Sequence, residues 1–247
     1  MVMAAADRIA NKIQRALIRH WEEFDADVSR LSSVASIQPK DGYAVFQYVD
    51  SAGNSANFEL NPIVVNVPER ATEIVSDLFV VVKGRLSIDR AHFEAEGKLR
   101  TLSFATQAAY FRVKGNVLSH VYGAHYDFAA NQSGHPVFHG QMRSYLEFAE
   151  VIKSQYGLEG VELKDVVSGI LKTVRLPSAQ MDVFSFLLQL VADHLLSGDS
   201  SDDDKMRFNE LLERSKFIQG LGSQIARLQV APANVCYRAV HWYPPHA

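Results

Sequence analysis

The first thirty residues have the periodicity of an amphipathic helix. Apolar residues recur at steps of three and four, which places them on one helix face; they are Ile9, Ile13, Ala16, Leu17, Phe24, Val28 and Leu31, with His20 among them. The segment is alanine-rich and basic like a targeting peptide, but Asp7, Arg8 and Lys12 interrupt any apolar stretch. We therefore predict a helix that runs to about Leu31 and belongs to the folded protein.

After this helix the apolar period shortens toward two, which is the period of a strand. Two alternating segments, Tyr43 to Val49 and Ala56 to Val67, are separated by the turn-forming residues DSAGNS. This pattern predicts a β-hairpin near the start of a sheet.

The next segment, between Pro68 and Gly84, fits two structures. Its apolar residues have helical spacing, with Pro68 suited to the start of a helix and Gly84 to its end; they are Ala71, Ile74, Val75, Leu78, Phe79 and Val82. The β-branched run FVVV favours a strand instead. We favour a helix over about residues 70–83.

The strongest strand signal in the chain runs from Leu99 to Met142. Three β-type segments are separated by residues that tolerate turn conformations; they are Leu99 to Val113, Asn116 to Phe128 and His135 to Met142. We predict three consecutive antiparallel strands.

The C-terminal half returns to helical patterns. Three helical segments precede a short terminal strand; they are Ser144 to Gly157, Ser178 to Gly198 and Asp202 to Leu228, followed by Asn234 to Tyr243. Strands that precede helices, rather than alternating with them, indicate an α+β fold. We predict an N-terminal helix, an antiparallel sheet in the first 145 residues and a helical C-terminal half with a short terminal strand. One domain would cover 1–247, the alternative being a sheet-rich half, 1–143, and a helical half, 144–247.

Composition narrows the class of protein. A chain of 247 residues with 47% hydrophobic content can bury a large core. Its formal net charge of −3 gives no electrostatic reason to expect nucleic acid as a partner. The single cysteine, Cys236, cannot form an internal disulfide, and no apolar run approaches the roughly eighteen residues that a membrane span needs. We expect a soluble cytoplasmic protein.

Four of the nine histidines fall between His120 and Met142. Strand alternation assigns one set of side chains to a core face; the set is His120, Tyr122, Ala124, Tyr126 and Phe128 with Pro136, Phe138, Gly140 and Met142. The opposite face, turned away from the core, would carry His125, Asp127, His135, His139 and Gln141. The loop length allows either His125 or Asp127 to lie opposite His139.

The preceding strand would contribute neighbours to the histidine face. A two-residue turn at Gly115 would place His125 opposite Thr106 or nearby, and would add Phe104 and Tyr110; a bulged turn would reverse the faces. Aromatic side chains beside histidines indicate a partly covered groove, since pockets combine apolar walls with a few polar groups.

Two kinds of chemistry fit this cluster. His125, Asp127 and His139 are the catalytic candidates, because imidazoles transfer protons near neutral pH and Asp127 could hold the tautomer of its histidine. With His135 they offer four ligands to a divalent transition metal, our candidate cofactor. On a strand, however, His135 and His139 would lie about 13 Å apart, so a turn near Gly134 would have to bring His135 back. The alternative is a polar, solvent-facing sheet surface without function.

Other catalytic signatures are missing from the sequence. There is no GxSxG elbow, no GxxxxGK[ST] phosphate loop and no GxGxxG fingerprint, and Cys236 lies in a segment resembling a buried strand. Asp182, Ser185, Gln189 and Asp193 form a polar stripe that we interpret as the solvated edge of a helix. We expect the apolar side of that helix to be buried; its residues are Phe184, Leu187, Leu188 and Val191.

Two hypotheses of different classes remain. The first is a hydrolase, such as a metal-assisted phosphoesterase, that uses His125, Asp127 and His139. The second is a noncatalytic interaction or assembly protein, whose helical C-terminal half and aromatic tail bind a protein partner or a second copy.

Overall fold

The structure, a computed structural model, describes residues 2–31, 36–39, 44–68, 77–128, 138–165, 175–177, 181–194 and 201–215. Within these residues the helices are α1 (Val2–Leu31), α2 (Arg90–Glu96), α3 (Ala149–Tyr156), α4 (Val183–His194) and α5 (Asp202–Ser215), with a 3-10 turn at Leu146–Phe148. The strands are β1 (Ser36–Pro39), β2 (Phe46–Ala52), β3 (Ser55–Pro68), β4 (Asp77–Asp89), β5 (Thr101–Lys114), β6 (Val117–Phe128), β7 (Phe138–Met142), β8 (Glu162–Asp165) and β9 (Arg175–Pro177).

All the described strands belong to one sheet. Its order is β1-β3-β4-β5-β6-β7-β9, while β2 pairs with the first half of β3 and β8 pairs with β6. Every pairing is antiparallel except that of β6 with β8, which is parallel. The predicted N-terminal helix, the hairpin of β2 and β3, and the three consecutive strands β5, β6 and β7 are confirmed.

The helix that we favoured over residues 70–83 is wrong from Asp77 onward, where the chain forms β4. The strand lies in the middle of the sheet, and Phe79, Val80, Val81 and Val82 are all buried. A strand buried on both faces is apolar at successive positions rather than alternate ones. Such a run also contains residues at helical spacing, and for this reason the periodicity was misleading.

Two hydrophobic cores lie on opposite faces of the sheet. Val80 and Val82 of β4 belong to the core that contains α1 and α4, and we call this side the α1 face. Phe79 and Val81 belong to a smaller core with Phe148 and Ile152, and we call this side the α3 face. We predicted that the face carrying His125 turns away from the core. Part of this face, the α3 face, instead packs in the smaller core.

A β-bulge in β6 changes which residues share a face. Tyr110 of β5 pairs with Tyr122, but its neighbour Phe111 pairs with His120, so Val121 is the extra residue. His120 is fully buried against the Phe111 ring on the α3 face. The expectation that His120 shares a face with Tyr122 is therefore wrong, because a bulge shifts the alternation by one residue.

Helices do follow the strands in the C-terminal half, as predicted, but β8 and β9 also come from this half and extend the sheet. The predicted terminal strand from Asn234, with Cys236, lies outside the described residues, as does the chain after Ser215. None of the described helices is long and apolar enough to cross a membrane.

Candidate functional site

The candidate site is the part of the α3 face that α3 does not cover. On this face β4 presents Phe79 and Val81 to the smaller core, and two residues later the pattern changes to Lys83, Arg85 and Ser87. Cα pairing continues these positions across the sheet, from Lys83 to Gln107 of β5 and from there to His125 of β6. A row of polar residues therefore crosses three central strands.

This row and the neighbouring row of Glu59, Arg85 and Ala105 line a concave site of about 260 Å³, which we call the groove. Its side chains come from four adjacent strands: Glu59 of β3, Lys83 and Arg85 of β4, Ala105 and Gln107 of β5, and His125 of β6. A site built on the central strands of a sheet is held more rigidly than one built on loops.

His125 and Asp127 form a hydrogen-bonded pair at one side of the groove. His125 Nε2 lies 2.9 Å from Asp127 Oδ2, and the two side chains are 19% and 28% exposed. Residues two apart on a strand lie on the same face, which allows this contact. A carboxylate in this position orients the imidazole and determines which ring nitrogen carries the proton.

The two cations of the groove differ in their surroundings. Glu59 is the Cα partner of Arg85, yet its carboxylate lies 3.2 Å from the Lys83 ammonium. The Arg85 guanidinium is exposed and makes no hydrogen bond or ion pair with any residue that the structure describes. Within the described part of the chain, the groove therefore contains a guanidinium whose charge no carboxylate contacts.

The second ring nitrogen of His125 has a different environment from the first. Nδ1 is buried and has no hydrogen-bond partner among the described residues. A buried polar atom without a partner costs about 1–3 kcal/mol, so such atoms call for an explanation. A ligand hydroxyl or a water molecule next to Nδ1 would supply the missing hydrogen bond.

The structure places the other predicted site residues only in part. His139 is the Cα partner of Asp127, which is one of the two registers that the loop length allowed, and His125 pairs with Gln141. The side chain of His139 and the whole of His135 lie outside the described residues. We expected Thr106 to lie opposite His125, but the bulge places Gln107 opposite His125 instead. Thr106 is buried on the α1 face beside Ala108.

The metal hypothesis has two ligands within the described residues. In that part of the chain no group of three or more His, Cys, Asp or Glu side chains is placed to hold a metal ion. His125 Nε2 and Asp127 Oδ2 bond to each other instead of converging on a common point. The two side chains do not by themselves fit a transition metal, which takes three protein ligands in a catalytic zinc site.

Sequence reasoning missed Glu59, Lys83, Arg85 and Gln107. The signal was present in β4, where Gly84, Leu86 and Ile88 are buried while Lys83, Arg85 and Ser87 alternate with them. The helical interpretation of the preceding residues hid this alternation. The sequence does not show that residues of β3, β4, β5 and β6 line one site, because this depends on pairing between strands and periodicity reports on one strand at a time.

A second hydrogen-bonded group, formed by His120, Asp165 and Ser144, lies deeper on the α3 face. His120 Nδ1 is 3.0 Å from Asp165 Oδ1 of β8, and Ser144 Oγ donates to Asp165 Oδ2 at 2.8 Å. Serine bonds to the aspartate here and not to the histidine, so the cluster lacks the arrangement of a catalytic triad. Nearby, burial raises the pKa of Tyr145 to about 12, which keeps its phenol neutral. We interpret this cluster as a link between β8 and β6.

Comparison with known proteins does not assign the chain to a family. No protein-family model matches it, and no curated protein or solved structure matches it either. The groove itself is therefore the basis for a functional proposal.

Proposed function

We propose that the chain is a hydrolase that cleaves phosphate esters in the groove, with His125 as the group that transfers protons. One observation carries the proposal: Arg85, whose guanidinium has no ion-pair partner among the described residues, lines the same groove as a histidine that is hydrogen-bonded to a carboxylate. An anion-binding group beside an oriented imidazole is the minimum that phosphate-ester hydrolysis requires.

Binding of the phosphoryl group falls to the two cations. Arg85 offers a planar fork of donors that matches two phosphoryl oxygens, and Lys83 adds a second positive charge from the same strand. Glu59 holds the Lys83 ammonium at 3.2 Å and so positions it at the wall of the groove. Both cations would also stabilise the charge on the phosphoryl oxygens as the ester bond breaks.

Proton transfer falls to His125 Nδ1, because Asp127 occupies Nε2. Nδ1 accepts a proton from water as the water oxygen bonds to phosphorus, and the protonated ring then donates that proton to the departing alcohol oxygen. The bond between phosphorus and the alcohol oxygen breaks, and phosphate and alcohol are the products. Asp127 keeps the ring oriented through its contact with Nε2.

A second candidate function is binding without catalysis. The observation in its favour is that Nδ1 is buried, so a reacting water molecule can reach this atom only if neighbouring side chains move. A groove that holds an anion through Arg85 and Lys83, without proton transfer, would suit a noncatalytic protein whose partner carries a phosphate. It uses a different surface from the interaction hypothesis based on the sequence, which placed the partner on the helical C-terminal half and the aromatic tail.

The test of the first function is hydrolysis of 4-nitrophenyl phosphate and bis(4-nitrophenyl) phosphate by purified protein. We expect His125→Gln to lower kcat about 10²- to 10⁴-fold, the usual contribution of a general acid or base. His92→Gln is the matched control, since His92 lies on α2 and pairs with Glu96. Unchanged turnover in His125→Gln would contradict the proposal.

The anion site has its own control in the same assay. Arg85→Ala should lower kcat/KM at least about tenfold, the effect of losing one charge-assisted contact. Arg19→Ala removes another exposed arginine, from α1 on the other face of the sheet, and should change neither kcat nor KM. Phosphate binding that depends on Arg85 without any turnover would instead support the noncatalytic function.

Metal content, measured on protein purified without a histidine tag, tests the metal-assisted form. Stoichiometric zinc, manganese or iron that is lost in both His125→Ala and His139→Ala would support the predicted four-ligand set.

A further inference from the structure

The groove continues beyond Arg85 toward the β2–β3 hairpin. A second concavity of about 380 Å³ adjoins it on the same face of the sheet, and the two share Glu59 and Arg85 in their walls. The added lining residues include Val49 and Asp50 of β2, Asn57 of β3 and Ser87 of β4, with Phe58 and Leu86 between them. We call this extension the hairpin end of the groove.

The chemistry of the hairpin end differs from that at His125. Asn57 donates to the Asp50 carboxylate, and its carbonyl accepts from Ser87 Oγ at 2.7 Å. The hairpin end thus adds a carboxylate, an amide and a hydroxyl to the shared Glu59 and Arg85, and Arg85 is the only cation among the described residues that line it. Such groups exchange hydrogen bonds with hydroxyls, as when a carboxylate binds the hydroxyls of a ribose.

An apolar side chain completes the hairpin end. Val49 is the extra residue of a bulge between Tyr48 and Asp50, and it is 55% exposed. Its position beside Asp50 places an apolar surface next to hydrogen-bonding groups. A sugar ring presents the same combination, with carbon–hydrogen faces and hydroxyls at its edge.

The spacing between the two ends matches a single small molecule. Arg85 and Ser87 are two residues apart on β4, so they lie about 7 Å apart on one face. Asn57 is the Cα partner of Ser87 and therefore adjoins it. One phosphorylated pentose or hexose can span this distance, with its phosphate at Arg85 and its ring at Asn57.

We propose that the ligand of the groove is a phosphorylated sugar. This inference rests on the proposed function for the phosphate end, where Arg85 and Lys83 bind the phosphoryl group. Asp50, Asn57 and Ser87 then bind the ring hydroxyls, and Val49 contacts the ring carbons. The hairpin end thus determines which phosphate esters the groove accepts.

The experiment is calorimetric titration with two phosphate esters that differ in the sugar. We expect D-ribose 5-phosphate to bind wild-type protein at least about tenfold more tightly than ethyl phosphate, since hydrogen bonds to a charged group supply that much. Asn57→Ala and Ser87→Ala should each reduce this preference without changing the affinity for ethyl phosphate. Asn11→Ala, on α1, is the matched control, and the thermal midpoint of each variant checks that it is folded.

The outcomes separate the two proposals. Equal affinity of wild-type protein for both esters, or a preference that survives in both folded variants, overturns the assignment of a sugar and leaves the phosphate site standing. Arg85→Ala should weaken binding of both esters alike. If neither ester binds wild-type protein, the proposed function fails, and the sugar assignment fails with it.

Discussion

Asp89 is a buried carboxylate that its neighbours keep charged. It is 2% exposed and lies where β4 ends and α2 begins. Its Oδ1 accepts from the His92 backbone N–H at 3.0 Å and from the Asn54 amide at 2.7 Å, and its Oδ2 accepts from Arg100. Burial alone would raise the pKa of Asp89, but these donors and the Arg100 charge outweigh it and lower the pKa below the ordinary value.

We predict that Asp89→Ala lowers the free energy of unfolding by about 3 kcal/mol at pH 7, because Arg100 loses its buried partner. The folded-state pKa of Asp89 is lowered, so its contribution is complete above the unfolded pKa of about 3.9 and is lost as pH falls through the folded value. The difference between wild type and variant should therefore shrink in acid. Urea unfolding across this pH range measures it.

Asp77→Ala provides the comparison for Asp89, since Asp77 is an exposed carboxylate on the same strand. It should change stability by no more than about 0.5 kcal/mol. Equal losses in the two variants would show that the contacts of Asp89 do not hold the hairpin, α2 and Arg100 together.

Gly123 is needed for a close approach between two segments. The Arg143 backbone N–H donates to the Gly123 carbonyl at 2.9 Å. A Cβ at position 123 would overlap the Arg143 carbonyl oxygen and lie 3.0 Å from His120 Nε2. The chain after β7 can cross β6 here only because residue 123 has no side chain.

We predict that Gly123→Ala lowers the free energy of unfolding by about 1–3 kcal/mol, the usual effect of overpacking. The added Cβ would force backbone, rather than a flexible side chain, to move. Gly160→Ala is the matched control, since a Cβ there meets nothing within 4 Å. Chemical unfolding of both variants compares them. A harmless Gly123→Ala would mean that the chain at Arg143 can shift freely.

Among the elements, α4 shows how one helix joins the α1 face. Asp182 accepts hydrogen bonds from the backbone N–H groups of Phe184 and Ser185 and so caps the helix. It is 1% exposed, so the interpretation of Asp182 as part of a solvated stripe is wrong. The predicted burial of the apolar side is confirmed; Phe184, Leu187, Leu188 and Val191 are 0%, 0%, 8% and 1% exposed.

We predict that Leu188→Ala lowers the free energy of unfolding by about 2–5 kcal/mol, because the removed carbons leave a cavity in the larger core. Met206→Ala on α5 removes a side chain that is 53% exposed and should cost about 0.5 kcal/mol or less. Thermal or urea unfolding measures both. A loss below about 1 kcal/mol for Leu188→Ala would show that α4 is loosely packed.

In β4 and β6, apolar periodicity alone does not predict the structure correctly. In β4 both faces are buried near Val81, so alternation disappears and a helix fits the same residues. In β6 the alternation is regular in sequence, but the bulge at Val121 divides it into two halves of opposite phase. A bulge depends on pairing with β5, and the sequence of one strand does not reveal it.

For the whole molecule, the decisive feature is that the two faces of the sheet are covered unequally. On the α1 face the larger core includes residues along β4 from Val80 to Ile88. On the α3 face the smaller core ends at Val81, and Lys83 and Arg85 follow. The groove exists because α3 covers only one part of this face, and its side chains come from four consecutive strands whose pairing brings them together.

Local periodicity determined the N-terminal helix, the first hairpin, the three strands from Thr101 to Met142 and the buried side of α4. These features depend on residues near one another in the chain, and for such residues alternation of apolar and polar side chains is a direct physical constraint. It also placed His125 and Asp127 on one face, because both follow the bulge. Only the tertiary structure decided that β4 is a strand, that His120 lies on the α3 face, and that Lys83 and Arg85 line a groove with His125. These outcomes depend on the partners of each strand and on which faces the helices cover, and pairing between distant segments leaves no periodic trace in either one.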